Sequence, residues 1–318
     1  MTFSYIGGLL TVFLFVALLQ RQSSKSRSGF LIEHLLLVDF VICAIIQPTY
    51  LVNAFLDATV PGRQTLFHCI VFTTIRFTTY YTQYWAQLTL AVNRLIAVSF
   101  PKMYKTWTKR HLLISAIVFC WLVGIACNIP PFFGFGYTIS NHFPPLNTCS
   151  TKPASRGNMV VMSSVGIYVP MVLVGVIYIF IWIHSKVMSR TSGRLALERR
   201  MKVAKMLFAS FVFYLLLFLP MAIAPTFFPT IRYTRPEVLV WLNTLQALGF
   251  GSNSMIFLVL NDNYRKHFQL MMAKLRTKEK VAAINKALTE DAESPNSKDA
   301  GNGVTGKILP TAEPSRRN

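Results

Sequence analysis

The stretch that decides the fold runs from Cys69 to Pro101 and reads CIVFTTIRFTTYYTQYWAQLTLAVNRLIAVSFP. It is longer than the about 20 residues that a helix needs to cross a bilayer. Thr, Tyr, Gln and one Arg interrupt its apolar residues through the middle. Polar groups at membrane depth are costly unless they find partners. The stretch therefore predicts a membrane helix that lies inside a bundle, surrounded by other helices instead of lipid.

The composition of the whole chain also indicates a membrane protein. Of its 318 residues, 53% are hydrophobic and 14% charged, which is too apolar for an ordinary soluble protein. The net charge of +20 would favour nucleic acid in a soluble protein, but here Lys and Arg lie in short segments between apolar runs, so we expect no nucleic-acid partner. Seven apolar segments can be marked, at roughly 3–19, 30–56, 66–99, 111–134, 158–187, 200–228 and 236–260. We therefore expect an all-α bundle of seven transmembrane helices.

The loop charges predict the orientation of this bundle. Lys and Arg are concentrated in the first, third and fifth loops and after the last span, whereas the alternate loops carry few. By the positive-inside rule, the N-terminus lies outside and the C-terminus in the cytoplasm, in a multi-pass protein of the cell membrane. Because the first apolar run starts at Phe3, we expect an outer N-terminal tail to be missing from this chain.

The chain divides into three parts by composition. Residues 1–260 are expected to form the seven-span domain. Residues 261–276 carry apolar side chains on one helical face and basic ones on the other, which predicts an amphipathic helix on the inner membrane surface. Residues 281–318 are too polar to form a core, so we expect a disordered cytoplasmic tail.

The five cysteines fall into two groups. Cys43, Cys120 and Cys127 lie inside apolar runs, and no Cys or His spacing is typical of a metal site. Cys69 and Cys149 lie at the edges of apolar runs, at the expected outer face. Since that face is oxidising, a disulfide between these two residues is reasonable.

Several motifs along the chain agree in identity and mutual spacing with those of a known family. They are Asp39 in LLLVDF, Cys69 placed 25 residues before Arg94, Asn93-Arg94-Leu95 followed by Pro101, Trp121, Pro170 with Tyr178, Pro220 preceded by Tyr214 and Phe218, and Asn253 to Phe257. In this order the motifs resemble those of the rhodopsin-like (class A) G-protein-coupled receptors. Within that family, the chain looks most similar to the divergent chemosensory receptors of nematodes.

The resemblance implies a receptor that binds an extracellular ligand, with no catalysis of its own and no cofactor. Its partners would be a heterotrimeric G protein, arrestin and membrane lipid. Coupling and activation would depend on Asn93, Arg94, Pro101, Tyr178, Pro220, Asn253 and Phe257.

Two departures from the family pattern concern activation. Asn93 replaces the acidic residue that pairs with the arginine at rest in many relatives, and Arg200 stands where a second acidic partner is often found. We therefore expect a looser resting state with measurable basal signalling. Phe257 has no hydroxyl with which to share a water with Tyr178, and Ser254 in place of a proline weakens the kink expected in the seventh span.

A polar pocket is expected around Asp39, with Asn253 as its partner. A carboxylate inside a membrane span is expensive and is by default a functional hypothesis. The resemblance implies a sodium and water pocket at this point. The alternative is a neutral Asp39 hydrogen-bonded to Asn253, and it stays open because Gln83 stands where a small Ser is common and would crowd an ion.

The ligand pocket is expected between the outer halves of the third, fifth, sixth and seventh spans. Arg76 lies 18 residues before Arg94, on the same helix. A buried guanidinium there indicates an anionic ligand group, such as a carboxylate, so we expect an anionic small molecule or a peptide; the alternative is an Arg paired internally or snorkelling outward. Tyr80, Phe218 and Trp241 are predicted to line the pocket. Ala247 stands where retinal binding needs a lysine, which excludes an opsin.

Other classes of seven-span protein fit the sequence less well than a receptor does. A secondary transporter would show repeated halves, and none is visible. A ligand-gated channel of the insect olfactory type has the opposite topology to the one that the loop charges predict. An intramembrane enzyme would need motifs such as HExxH or paired Asp residues in spans, and these do not occur.

Overall fold

A computed structural model describes residues 29–59, 65–143, 148–188, 194–228, 235, 237–238, 241–246, 248–250, 269 and 273. Within these ranges the chain is helical except for one hairpin and short connections. The elements are α1 (Gly29–Val41), a π-helical turn (Ile42–Ile46), α2 (Gln47–Thr59), α3 (Leu66–Ser99), α4 (Pro101–Trp107), α5 (Arg110–Phe132), β1 (Tyr137–Phe143), β2 (Thr148–Pro153), α6 (Arg156–Ser163), a second π-helical turn (Ser164–Tyr168), α7 (Val169–Met188) and α8 (Arg194–Phe227).

Five of the predicted spans are represented almost completely. The second span comprises α1 and α2, the third is α3, the fourth is α5, the fifth comprises α6 and α7, and the sixth is α8. The seventh is described only from residue 241 to 250, with one gap. The first predicted span at 3–19 lies outside the described residues, as does the tail at 281–318. The predicted surface helix at 261–276 is described at only two positions, and the contacts divide the chain within it, between Phe268 and Gln269.

The third span lies at the centre of the helices that the structure describes. It contacts the second, fourth and fifth spans as well as both strands of the hairpin. Thr65 caps its start, where the side-chain oxygen accepts a hydrogen bond from the backbone N–H of His68 at 3.2 Å. Its buried residues include polar side chains such as Arg76, Gln83 and Asn93. A helix this polar is stable at membrane depth because other helices surround it.

Three helices in the described part of the chain are long and apolar enough to cross a membrane. They are Gly29–Asn53, Arg110–Phe132 and Arg156–His184. The third span is not one of them, because its Thr, Tyr, Gln and Arg residues lower its hydropathy. The fourth span, Arg110–Phe132, and the fifth span, Arg156–His184, are only 22% and 33% buried over their most apolar 18 residues, so most of their surface is available to lipid.

Proline explains the two π-helical turns. Pro48 lies two residues after the end of the turn Ile42–Ile46, and Pro170 lies two residues after the end of the turn Ser164–Tyr168. Proline lacks the N–H that would bond to the carbonyl four residues earlier, and its ring crowds that carbonyl. A π-helical turn adds one residue and moves the crowded carbonyl aside. The second and fifth spans therefore depart from a regular α-helix where the sequence places proline.

A β-hairpin connects the fourth and fifth spans. The sequence alone predicts only helices and loops, so it does not reveal this hairpin. Its strands pair antiparallel, with Tyr137 opposite Pro153. Two glycines with positive φ, Gly134 at 75° and Gly136 at 68°, turn the chain from the fourth span into the first strand. Cys149 on the second strand forms a disulfide with Cys69 at the start of the third span, with the two Cα atoms 5.3 Å apart. The predicted disulfide is thus present.

Candidate functional site

Arg76 lies in an aromatic cage on the third span. Only 8% of its surface is exposed, and its guanidinium carbon lies 4.5 Å from the centroid of the Tyr50 ring and 4.9 Å from that of Phe77. Ring faces attract a cation through their quadrupoles, and more strongly where water is excluded. The Nε–H of Arg76 is buried without a hydrogen-bond partner among the described residues. The cage therefore holds the charge of Arg76 and leaves a donor unused.

A chain of ring contacts connects this cage to the sixth and seventh spans. The Phe77 and Tyr80 rings meet edge to face with centroids 6.4 Å apart, and Tyr80 stacks on Phe250 at 5.4 Å. Phe250 meets Phe218 edge to face at 4.5 Å, and Tyr84 meets Phe218 in the same manner at 6.4 Å. Phe218 and Phe250 are 1% and 0% exposed. Three of the predicted ligand-binding residues, Arg76, Tyr80 and Phe218, thus belong to one continuous cluster.

Trp241 does not join this cluster. Its side chain is 70% exposed, whereas its neighbour Leu242 is buried. The cluster instead contains three residues that the sequence reading missed, Tyr50, Tyr84 and Phe250. Tyr84 was within reach of a pattern argument, since Arg76, Tyr80 and Tyr84 follow each other at intervals of four and so share one helical face. Tyr50 and Phe250 have no local signal, because only the packing of different spans brings them to the third.

Asp39 and Gln83 form a polar contact deeper in the bundle. Both side chains have 0% exposure, and the Gln83 amide Nε2–H donates to the Asp39 carboxyl oxygen Oδ1. A sodium ion is implied here by the resemblance drawn from the sequence, but the donor that faces the carboxyl oxygen carries partial positive charge and competes with a cation. The carboxyl group thus has an amide partner, and sodium binding at this point stays a prediction. The other predicted partner, Asn253, lies outside the described residues.

The inner end of the third span brings together Asn93, Arg94 and Tyr178. Asn93 has 0% exposure, and neither polar atom of its side chain has a hydrogen-bond partner among the described residues. Arg94 is half-buried and lies close enough to Tyr178 on the fifth span for an electrostatic interaction. Tyr178 in turn contacts two rings of the sixth span, Phe208 at 6.1 Å and Phe211 at 5.9 Å. The third, fifth and sixth spans are therefore connected here through Tyr178.

The remaining predicted residues are placed only by their backbone or not at all. Pro101 begins the short helix Pro101–Trp107, at a position where the absent N–H is harmless. Pro220 lies inside the sixth span, two residues after Phe218. Phe257, like Asn253, lies outside the described residues.

No cluster of His, Cys, Asp or Glu that could hold a metal ion occurs among the residues with described positions. The polar groups brought together are instead an arginine in an aromatic cage, a buried carboxyl–amide pair and an arginine at the inner end of a helix. None of these arrangements provides a nucleophile with an adjacent base, and all of them suit recognition and movement between helices.

Comparison with known proteins places these features in a family. Residues 11–248 match the family model of the 7 transmembrane receptor (rhodopsin family). The chain is 34% identical over 98 residues to a Gq-coupled rhodopsin of Mizuhopecten yessoensis, which is 29% of this chain and 19% of that protein. It is 24% identical to octopamine receptor 2 of Lymnaea stagnalis over 55% of this chain and 31% of that receptor. It is 25% identical to adenosine receptor A3 of Ovis aries over 63% of this chain and 65% of that receptor.

These matches cover less than two thirds of the relatives' own lengths, from 19% to 65%. The family model matches more of this chain than these relatives do, and it includes all the spans from the second to the sixth and the start of the seventh. A bundle of apolar helices around a polar third span, with a disulfide from that span to the following hairpin, is the arrangement expected for such a receptor. The chain belongs to the rhodopsin family of seven-transmembrane receptors, and is a multi-pass membrane protein of the G-protein-coupled receptor class.

Proposed function

We propose that this receptor binds an extracellular ligand with an anionic group, such as a carboxylate on a small molecule or a peptide, and in response activates a heterotrimeric G protein. The observation that carries the ligand class is Arg76. A guanidinium is always charged and presents five donors, and here the described surroundings supply aromatic faces and leave Nε–H unused. A carboxylate is the group that best satisfies such a donor set.

The aromatic cluster supports a route from the ligand to the sixth span. Phe218 lies two residues before Pro220, and a helix bends at an internal proline. A ligand that moved the Arg76 side chain would displace Tyr80 and Phe250, and through them Phe218. Outward movement of the sixth span about Pro220 would then open the inner end of the bundle.

The inner end of the third span is the proposed contact for the G protein. Arg94 lies near Tyr178, and Tyr178 contacts the rings of Phe208 and Phe211 on the sixth span. Because Asn93 carries no charge, it cannot form the ion pair that an acidic residue makes at this position. We propose that the resting state is correspondingly less restrained. The N-terminus is proposed to lie outside and the C-terminus in the cytoplasm, which follows from the loop charges.

The test is a screen of carboxylate, amine and neutral ligands on cells that express the full chain, read by second messengers with a panel of G proteins. We expect carboxylates to be the active class. With an active ligand, Arg76→Gln should lower potency by about one to two orders of magnitude, since a hydrogen bond to a charged group contributes about 1.5–3 kcal/mol. Arg76→Lys should retain part of the response.

Arg156→Gln is the matched control, because Arg156 is an exposed arginine at the start of the fifth span. It should leave potency unchanged, which separates a specific contact from general attraction by surface charge. Activation by amines alone, or equal responses of the Arg76→Gln variant and the unaltered receptor, would refute the proposed ligand class. Arrestin binding stays a prediction, because the predicted tail at 281–318 lies outside the described residues.

A further inference from the structure

Three polar side chains near the hairpin end of the second and third spans keep hydrogen-bond donors that the described residues do not use. The donors are the Nε–H of Arg76, the hydroxyl of Thr73 and the amide nitrogen of Asn53. Arg76 is 8% and Thr73 is 1% exposed, and Asn53 is half-buried. A buried donor without a partner has lost its hydrogen bond to water and gained none in exchange. Each of the three therefore calls for an acceptor that a ligand can supply.

The unused hydroxyl of Thr73 differs from that of a neighbouring threonine. A threonine inside a helix commonly donates its hydroxyl to the backbone carbonyl four residues earlier. Thr79, two turns further along the third span, does so toward Ile75 at 2.8 Å. Thr73 makes no such bond to its own helix, although it is the more deeply buried of the two. Its hydroxyl is therefore available to a group outside the helix.

The three donors lie toward the same end of the two spans. Tyr50 of the second span contacts the guanidinium of Arg76, with 4.5 Å from the ring centroid to the guanidinium carbon. Asn53 follows Tyr50 by three residues, about one turn along the same helical face. Thr73 precedes Arg76 by three residues in the same manner. Because consecutive spans run in opposite directions, both steps lead toward β2, which contacts α2 and α3. The donors therefore lie between two spans and beneath the hairpin.

The donors differ in the oxygen atoms that they can hold. Tyr50 and Phe77 attract the charge of Arg76 but leave its Nε–H without an acceptor. A carboxylate that meets this edge of the guanidinium uses both of its oxygens in two parallel hydrogen bonds. The hydroxyl of Thr73 and the amide of Asn53 are then left for another oxygen of the same ligand. A hydroxyl or carbonyl oxygen has two lone pairs, so it can accept from both.

From this arrangement we infer that the ligand is a hydroxy- or oxo-carboxylate, an assignment that rests on the anionic ligand proposed above. Its carboxylate binds Arg76, and its second oxygen binds Thr73 and Asn53. Residues three apart on a helix have Cβ atoms about 5–6 Å apart. The second oxygen therefore belongs to the α or β carbon, next to the carboxyl group, and not to the far end of a long chain. A plain carboxylate leaves both neutral donors buried without a partner and binds more weakly.

The experiment compares a straight-chain carboxylate with its α-hydroxy, β-hydroxy and β-oxo derivatives on cells that express the full chain, read by second messengers. We expect at least one derivative to be about five- to tenfold more potent than the plain acid, the effect of one neutral hydrogen bond. Thr73→Val keeps the shape of the side chain without the hydroxyl and should remove this preference, whereas Thr73→Ser should retain it. Asn53→Leu should reduce it in part. Thr79→Val is the matched control, because Thr79 is 3% exposed but its hydroxyl is bonded within its own helix.

The potency ratio separates a lost contact from a damaged fold, since damage lowers the response to plain and substituted acids alike. Equal potency of the plain acid and all its derivatives, or a preference that Thr73→Val leaves unchanged, would overturn this assignment. If Arg76→Gln still lowers the potency of the plain acid in either case, the anionic ligand class stands without the second oxygen. If no carboxylate activates the receptor, the ligand class and this assignment both fail.

Discussion

The contact between Asp39 and Gln83 can be measured by replacing each residue with leucine, singly and together. Both side chains have 0% exposure, so neither solvent nor salt screens the hydrogen bond between them. A hydrogen bond to an ionised group contributes about 1.5–3 kcal/mol, whereas one between neutral groups contributes about 1 kcal/mol. Leucine has nearly the shape of aspartate and about the volume of glutamine without their polar atoms, so each single variant removes this hydrogen bond with little change in packing.

The expected magnitudes follow from that geometry. Each single variant should lose about 1–3 kcal/mol of stability, because it removes a hydrogen bond from a fully buried polar group. The double variant should lose less than the sum of the two, since two facing leucines form an apolar contact. We expect a coupling energy of about 1.5–3 kcal/mol if the carboxyl group is ionised and of about 1 kcal/mol if it is protonated. If the stability loss of the double variant equals the sum of the two single losses within about 0.5 kcal/mol, the contact is refuted.

The same pair predicts how the receptor responds to sodium. Thermal denaturation in nanodiscs should give the same midpoint in sodium chloride and in choline chloride, because the Gln83 amide takes the place of a cation beside Asp39. Gln83→Ser removes the amide and should make the midpoint rise with sodium, by about 1.4 kcal/mol at ten times the dissociation constant. Gln87→Ser, one turn further on, should remain insensitive. A sodium-dependent midpoint of the unaltered receptor would show that the ion and the amide bind together.

Three further predictions concern other parts of the bundle. Phe218→Ala should destabilise the receptor by about 3 kcal/mol in thermal denaturation, whereas Phe213→Ala, at a 43% exposed position on the same helix, should change the midpoint little; equal losses would contradict the packing of Phe218. Cys69→Ser should lose about 4 kcal/mol, because the disulfide closes a separation of 80 residues, and adding Cys149→Ser should lose no more. Asn93→Asp should lower ligand-free signalling at matched surface expression, since an aspartate pairs with the neighbouring arginine; unchanged signalling in this assay would argue against a looser resting state.

The sequence predicts the third span almost to the residue, and the reason is local. Thr65 provides an N-cap and Pro101 begins a new helix, so residues next to the span determine both of its ends. Its central position also follows from sequence, because polar residues at membrane depth require partners. The predicted start of the sixth span at residue 200 was late by six residues, since the segment from Arg194 is rich in good helix formers and continues the helix beyond the apolar run.

The candidate site is predictable only in part, because charged residues inside spans give a clear signal and aromatic residues do not. Arg76 and Asp39 are recognisable because charged groups inside spans are rare. Aromatic residues are common in spans, and their number alone does not tell which helical face they occupy. The sequence therefore favours Trp241, which is 70% exposed, and gives no signal for Phe250, which has 0% exposure. The hairpin was missed because a two-stranded pairing depends on residues on both sides of its turn and on a distant disulfide.

The geometry of the third span explains why one row of residues reaches three different helices. Four residues of an α-helix exceed one turn by about 40°, so the row Arg76, Tyr80 and Tyr84 winds around the axis. Accordingly Arg76 meets Tyr50 of the second span, Tyr80 meets Phe250 of the seventh, and Tyr84 meets the sixth. Tyr80 is thus the step that joins the charged end of the row to the seventh span.

This position makes Tyr80 a test of the proposed route from ligand to inner end. Tyr80→Leu keeps an apolar residue but removes the ring that stacks on Phe250 at 5.4 Å, and such ring pairs contribute about 0.5–1.5 kcal/mol beyond burial. We expect ligand binding to persist while the maximal G-protein response falls, and Tyr80→Phe, which keeps the ring, to signal normally. A full response from Tyr80→Leu would mean that the signal reaches the sixth span without passing through this stack.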